Sequence, residues 1–373
     1  MKYEELVDEG VVNRGNLFRL NKLLQRAKAG EKLCIGFIGG SITQGCVADK
    51  PEKSYAYLVY QWFINTFPDA ELSYINAGIG GTTSQFGVAR VKDDLLEFKP
   101  DFIITEFSVN DDEEKEEARI LETYEGLIRK CYYSDNEPAV IILNNVKYDN
   151  GENVQHLHNK VGDYYELPCI SMKSAIYPLV RDGIIPAGEL TPDNLHPNNE
   201  GHELIAHIII HFLNKVYCEL SINDSEIKDR IPPITRNSYE NALRFRNMDI
   251  SPIIQGFVPD ERLQEGITDP FKNGWSAGTL HSIITFNLPC TGIAVQYRKS
   301  RIKPTPVARV VIDDDVNSAV ILDGNFDQDW GDCVYLQTVL EHAIYKKRKI
   351  EIELISTHKD DKVPFYLISI ITT

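Results

Sequence analysis

The 373 residues suffice for two domains that each bury a core, and 43% hydrophobic with 25% charged residues describes a folded globular protein rather than a disordered or fibrous one. A formal net charge of −16 argues against nucleic acid or an anionic membrane as partner, since clustered Lys and Arg would have to hold either one. Seven cysteines without a CxxC pair argue against a disulfide framework, and the opening MKYEELVDEG lacks the apolar stretch of a signal peptide, so buried free thiols and a cytoplasmic location are expected.

From residue 17 to about 213, short apolar runs alternate with amphipathic stretches, the pattern of parallel strands joined by crossover helices. Strands are predicted at 33–38, 72–76, 102–106 and 140–143, with a weaker one at 168–170. Helices are predicted at 17–28, 55–67, 84–97, 116–132, 154–165 and 199–216. These suit a five-stranded doubly wound sheet, in which ligands bind beyond the carboxyl ends of the strands. Loops starting near Gly39, Ala77, Phe107 and Asn144 would then share one rim. The acidic run at 111–117 reads as a solvated loop entering a helix.

Residues 221–250 are polar overall but contain Ile231, Pro232, Pro233, Ile234, Tyr239, Leu243 and Phe245, too apolar for a solvated tether, so a packed linker is expected. From 251 to 373 the strand-like runs HSIITFNL, GIAVQYR, ARVVIDD, SAVILDG, KIEIELI and YLISIITT follow one another, separated by turn residues and without a long amphipathic helix. This is the text of an all-β sandwich, jelly-roll-like. The expected organisation is a catalytic domain over 1–220, the linker, and the sandwich.

Four loops carry chemistry. In CIGFIGGSITQG, Ser41 ends a buried strand and opens a helix, where it can expose its hydroxyl and offer its N–H to an anion; a plain glycine turn with Ser as cap is the competing reading. The absence of a Lys-Ser or Lys-Thr pair closing the loop argues against phosphate binding. Asn76-Ala77-Gly78-Ile79-Gly80-Gly81 lets backbone amides approach a bound group, and Asn110 in Ser108-Val109-Asn110-Asp111 supplies a neutral donor. In Asp193-Asn194-Leu195-His196-Pro197 a carboxylate three residues before a His can hold one ring nitrogen and present the other.

These four segments resemble, in order, the signature blocks of the SGNH/GDSL hydrolases over about residues 33–216. The resemblance implies a flavodoxin-like three-layer α/β domain and a serine esterase with Ser41, Asp193 and His196 as triad. Ser41, Gly81 and Asn110 would be its oxyanion donors, and no cofactor or metal is implied. Two positions depart from the family pattern: Gly40 stands where Asp is usual, and Ser108 where Gly is usual. The Gly-Gly-Ser-Ile-Thr block with an appended sandwich is similar to bacterial carbohydrate acetylesterases acting on mannan or xylan fragments. The expected partner is therefore an acetylated oligosaccharide, with a homo-oligomer compatible with the sequence. A lipase or phospholipase-type esterase and an idle carbohydrate-binding protein are the competing readings.

Trp275 and Trp330 lie in loop-like text of the sandwich and are candidates for stacking on a sugar ring, against the alternative that each covers its own core. His202, His207 and His211 share a predicted helix without a companion carboxylate or Cys motif, so packing or surface roles are preferred to a metal site. Asp313 to Asp315 read as a turn rather than a calcium loop.

Overall fold

The computed structural model describes residues 7–113, 116–219, 224–227 and 229–373, so Glu114 and Lys115 of the acidic run and part of the linker lie outside the described residues. The chain divides into two compact units between Glu240 and Asn241, inside the expected linker.

The first unit is built on a six-stranded sheet of β1 (Val11–Asn13), β2 (Lys32–Gly39), β3 (Glu71–Gly78), β4 (Phe102–Glu106), β5 (Ala139–Asn144) and β6 (Cys169–Ser171), in the order β1-β6-β5-β4-β2-β3. Strands β2 to β6 are parallel as expected. The additional β1 runs antiparallel against β6, with Val11 opposite Ile170. Interior strand β2 is buried from Leu33 to Gly39, whereas its neighbour, edge strand β3, is buried only at its last two residues.

Alternation along the strands sends Ile35, Phe37, Phe102, Ile104, Ile141 and Leu143 to one face. There they pack with α1 (Phe18–Lys28), α2 (Tyr55–Thr66) and the last helix of the unit (Asn199–Glu219) in one apolar cluster. Buried Ile38, Ile103, Val140 and Ile142 fall at the alternate positions, and α3 (Ser84–Asp94), α4 (Glu117–Tyr132) and α5 (Gln155–Tyr164) pack on one another in sequence. The last helix is α6. The register puts Gly39 level with both Gly78 and Glu106, so the loops after β2, β3 and β4 leave the sheet at one rim.

Residues 231–240 belong to the first unit and are strapped to α4. The Glu125 carboxylate accepts the Ile234 N–H (2.7 Å), the Thr235 N–H (2.9 Å) and the Thr235 hydroxyl, while Arg129 holds Glu240 (2.7 Å) and the Ile231 carbonyl (2.9 Å). The second unit is two antiparallel sheets around one core, one holding the strands at 243–245, 258–259, 275–277, 293–299, 333–340 and 365–372 and the other those at 253–255, 283–290, 307–312, 320–323 and 346–356. The strands are β7 (Leu243–Phe245), β8 (Ile253–Gln255), β9 (Val258–Pro259), β10 (Trp275–Ala277), β11 (Ile283–Cys290), β12 (Ile293–Lys299), β13 (Val307–Ile312), β14 (Val320–Asp323), β15 (Cys333–Leu340), β16 (Lys346–Ser356) and β17 (Phe365–Thr372). Asp313 and Asp314 form a turn after β13 tied to basic neighbours, Asp313 to Arg348 and Lys346 and Asp314 to Lys349. Among the described residues no helix is long and apolar enough to cross a membrane.

Candidate active site

Ser41 stands where β2 gives way to a single helical turn, Ser41–Gln44. The His196 ring lies over it, with Nε2 2.8 Å from Ser41 Oγ and Nδ1 2.7 Å from Asp193 Oδ2. Residues 155 positions apart in sequence thus form one hydrogen-bonded line along which the hydroxyl proton can pass to the imidazole.

The Asp193–His196 loop is shaped by Asn194, whose positive φ of 66° is one that Asn tolerates. Its tightness lets Asp193 Oδ1 accept the backbone N–H groups of Leu195 (3.0 Å) and His196 (2.7 Å) and the Thr191 hydroxyl (3.1 Å), while Oδ2 keeps the ring. Burial alone would raise the Asp193 carboxyl. The hydrogen bonds from the His196 ring and from the N–H groups of His196 and Leu195 outweigh it and hold the group down to about 2. Asp193 is therefore a carboxylate around neutral pH, and the tautomer with Nδ1–H is the one it selects.

The two donor loops close on the same point. A Cβ built on Gly80 would lie 3.5 Å from Ser41 Cβ, and the Gly80 N–H donates to Gln44 Oε1 at 2.7 Å, which ties the loop to the helical turn bearing Ser41. Gly81 follows with φ 67°, a conformation open to glycine. Asn76 adds a second tie, donating to the Thr43 carbonyl (2.8 Å) and accepting the Gly78 N–H (2.9 Å). Asn110 lies flat against Gly40, where a Cβ would fall 2.1 Å from Oδ1. That oxygen is buried without a partner among the described residues, and the amide as a whole sits against the turn that carries Ser41. The Gly at position 40 is thus the residue that admits Asn110. Ser108, the other departure from the family pattern, is fully buried and donates to the Asn145 carbonyl (3.0 Å), so its hydroxyl braces the loop from behind.

Residues 37–204 match the model of the GDSL-like Lipase/Acylhydrolase family. The whole chain is similar to a crystal structure described as a two-domain esterase (CEX) active on acetylated mannans, co-crystallized with mannopentaose. Identity is 50%, TM-score 0.94, and the match covers 98% of this chain and 97% of that one. A second structure, of a two-domain esterase (CEX) active on acetylated mannans, matches at 50% identity with TM-score 0.95 and 98% coverage of each chain. The chain belongs to the SGNH/GDSL hydrolases. This SGNH/GDSL hydrolase is a carboxylic ester hydrolase with a three-layer α/β unit followed by an all-β sandwich. No curated protein sequence matches it.

Several groups that organise the site of this hydrolase have no signal in its motifs. In the sequence Gln44 is one residue of a glycine-rich loop and Glu106 the end of an apolar strand, and neither pattern announces a role. His202 is buried on α6 and accepts the Tyr55 N–H on Nδ1 (3.3 Å) while Nε2 meets the Cys46 carbonyl (3.3 Å). Burial lowers it to about 4, against the pull of that carbonyl, and so it is a neutral link between α2, the loop after Gln44 and α6. His211 pairs with Asp8 at 3.1 Å, and among the described residues no group of three His, Cys, Asp or Glu is arranged to hold a metal.

The expectation for Trp275 is corrected. It lies on β10 with only 1% of its surface exposed and its ring edge-on to Phe286 at 5.3 Å, inside the core of the sandwich, where no sugar reaches it. The text KNGWSAG looks like a loop because Gly flanks both sides, but β10 pairs with β17 there. Trp330 is 56% exposed and stands edge-on to Phe326 at 5.0 Å.

Proposed function

We propose that this hydrolase removes acetyl groups from acetylated manno-oligosaccharides, with Ser41 as nucleophile, His196 as general base and Asp193 as the group that orients it. The observation that carries the reading is the Asp193–His196–Ser41 line at 2.7 and 2.8 Å in a chain that is 50% identical over nearly its whole length to an esterase active on acetylated mannans.

Ser41 Oγ bonds to the ester carbonyl carbon as His196 Nε2 takes its proton, and Asp193 offsets the imidazolium charge. The carbonyl oxygen becomes an oxyanion held by the N–H groups of Ser41 and Gly81 and by the Asn110 amide. Losing one such donor typically costs roughly 3 to 4 kcal/mol of barrier. The proton then passes to the sugar oxygen, which leaves as a hydroxyl, and water on the acyl-serine repeats the sequence to release acetate.

The cysteine pattern supports a reducing, cytoplasmic setting, since Cys34, Cys131, Cys169 and Cys290 are buried free thiols. In the sandwich a cleft of about 620 Å³ gathers Asp260, Arg262, Arg298, Ser276 and Tyr366. Arg262 grips Asp260 through two bonds of 2.7 and 2.6 Å and Tyr366 donates to Asp260 at 2.7 Å, a fixed array of donors and acceptors suited to sugar hydroxyls. With exposed Trp330 this supports a carbohydrate-binding role for the second unit.

The test is release of acetate from acetylated manno-oligosaccharides, followed by mass spectrometry, for the protein and for Ser41→Ala. Loss of turnover by several decades with an unchanged melting temperature is expected. Retained activity in the folded variant would remove Ser41 from the reaction, and a preference for long acyl chains would favour a lipase-type esterase.

A further inference from the structure

Behind the nucleophile turn sits a carboxyl group for which the reaction above has no use. Glu106, the last residue of β4, is fully buried. Its backbone carbonyl accepts the Gly40 N–H at 3.2 Å, and its Oε2 accepts the Thr43 hydroxyl at 3.2 Å. Thr43 shares a hydrogen bond of 2.8 Å with Tyr55 on α2. Glu106 therefore touches the turn on both sides of Ser41. The loop that runs on from it reaches Asn110 four residues later.

The surroundings are those of a neutral acid. Oε1 makes no well-formed hydrogen bond among the described residues, and the buried Asn145 amide, which lies close enough to the carboxyl to favour its charged form, leaves its own Nδ2 likewise without one. The facing groups are polar or negative. They are Thr43 and Gly40 from the turn, Tyr55 from α2, Tyr124 from α4, Asn145 after β5, and Asp111 from its own loop, which His158 of α5 holds at 3.0 Å. The buried Arg90 of α3 is engaged by Asp94 (3.0 Å) and the Gly39 carbonyl (3.2 Å). A charged carboxylate with so little solvation is strongly disfavoured.

We propose that Glu106 is a positioning residue for the nucleophile turn that works in its neutral form, and that its ionisation lowers turnover by placing a negative charge behind the oxyanion site. This rests on the esterase reading of Ser41. Protonated, the carboxyl holds the Thr43 hydroxyl without adding charge, while the backbone carbonyl of the same residue holds the Gly40 amide. Ionised, its field opposes the negative charge that develops on the carbonyl oxygen in front of the same turn. Burial pushes the group up to about 7, helped by Asp111 and opposed by Asn145, Thr43 and Gly40, so the change falls within the working range of an esterase.

The experiment is the pH profile of kcat and KM on an aryl acetate for the wild type, Glu106→Gln and Glu106→Ala, with Ser41→Ala as control. The expected wild-type kcat declines by about tenfold on the alkaline side with little change in KM. Glu106→Gln, a permanent mimic of the neutral acid, matches the wild type at low pH and lacks the alkaline decline. Glu106→Ala loses kcat at every pH. The stability effect has a fixed sign, because a carboxyl raised from 4.5 to about 7 binds its proton more tightly in the folded state. The wild type therefore loses melting temperature relative to Glu106→Gln as pH rises from 4.5 to about 7. Identical alkaline limbs in wild type and Glu106→Gln, with Ser41→Ala inactive, would overturn the proposal and leave the esterase reading standing. Activity in Ser41→Ala would instead remove that reading. If Glu106→Gln does not fold, infrared titration of isotope-labelled glutamate in the wild type decides: a neutral carboxyl persisting to about neutral pH supports the proposal, and its absence above pH ~5 overturns it.

Discussion

At Gly40 a single missing methyl group determines where the Asn110 amide can lie. A Cβ at that position would come within 2.1 Å of Asn110 Oδ1, the end of a side chain that can swing, so Gly40→Ala should fold normally and displace the amide. The expected outcome is a fall in kcat of about a hundredfold or more with KM little changed, the signature of a lost oxyanion donor. Steady-state kinetics on an aryl acetate beside a melting curve checks it; an unchanged kcat would mean that Asn110 is not a donor. The four loops were legible from sequence because each holds its chemistry within a few consecutive residues. Glu106 was not, since its meaning comes from Thr43, 63 positions away, and from burial that a strand-ending acid does not announce. Trp275 failed in the opposite direction, because flanking glycines hid a strand whose pairing partner is some 90 residues further on.

Among the elements, those with strong periodicity fell where the sequence put them. Helix α2 ends one residue short of its expected range and α6 runs three residues beyond it. The elements that escaped are short or half-exposed. β1 has three residues and exists through its pairing with β6, and β15 is buried only at Cys333, so it shows little contrast between its two faces. The strap of residues 231–240 illustrates how a segment without regular structure is fixed. Two Glu125 oxygens meet three donors of Ile234 and Thr235, and Gly126 leaves room for Tyr239. Glu125→Ala would leave those donors without their acceptor, and with an unsatisfied buried group costing about 1 to 3 kcal/mol, less for these part-buried ones that water can reach, the expected loss is roughly 2 to 5 kcal/mol. Denaturant unfolding of the variant measures it, and a loss under about 0.5 kcal/mol would show that the strap is not held by this carboxylate.

At the scale of the molecule, each unit has its own core, and the two large tryptophans of the sandwich divide its roles. Trp275 fills the core between the sheets, so its removal acts on stability; Trp330 is exposed beside Phe326 with its indole N–H on Gln328, so its removal leaves packing nearly untouched. An exposed indole fixed by a T-shaped contact with a second ring and by its N–H on an amide leaves oriented aromatic surface open to a ligand. That arrangement suits a sugar ring better than a small aryl ester, which needs only the Ser41 site. Trp330→Ala should therefore lower kcat/KM for acetylated manno-oligosaccharides by about tenfold, roughly 1.4 kcal/mol, keep most aryl acetate turnover and melt like the wild type. Trp275→Ala should instead lower the stability of the sandwich by about 3 to 5 kcal/mol. Equal losses on both substrates in Trp330→Ala, or none on either, would leave the second unit without a part in choosing the substrate.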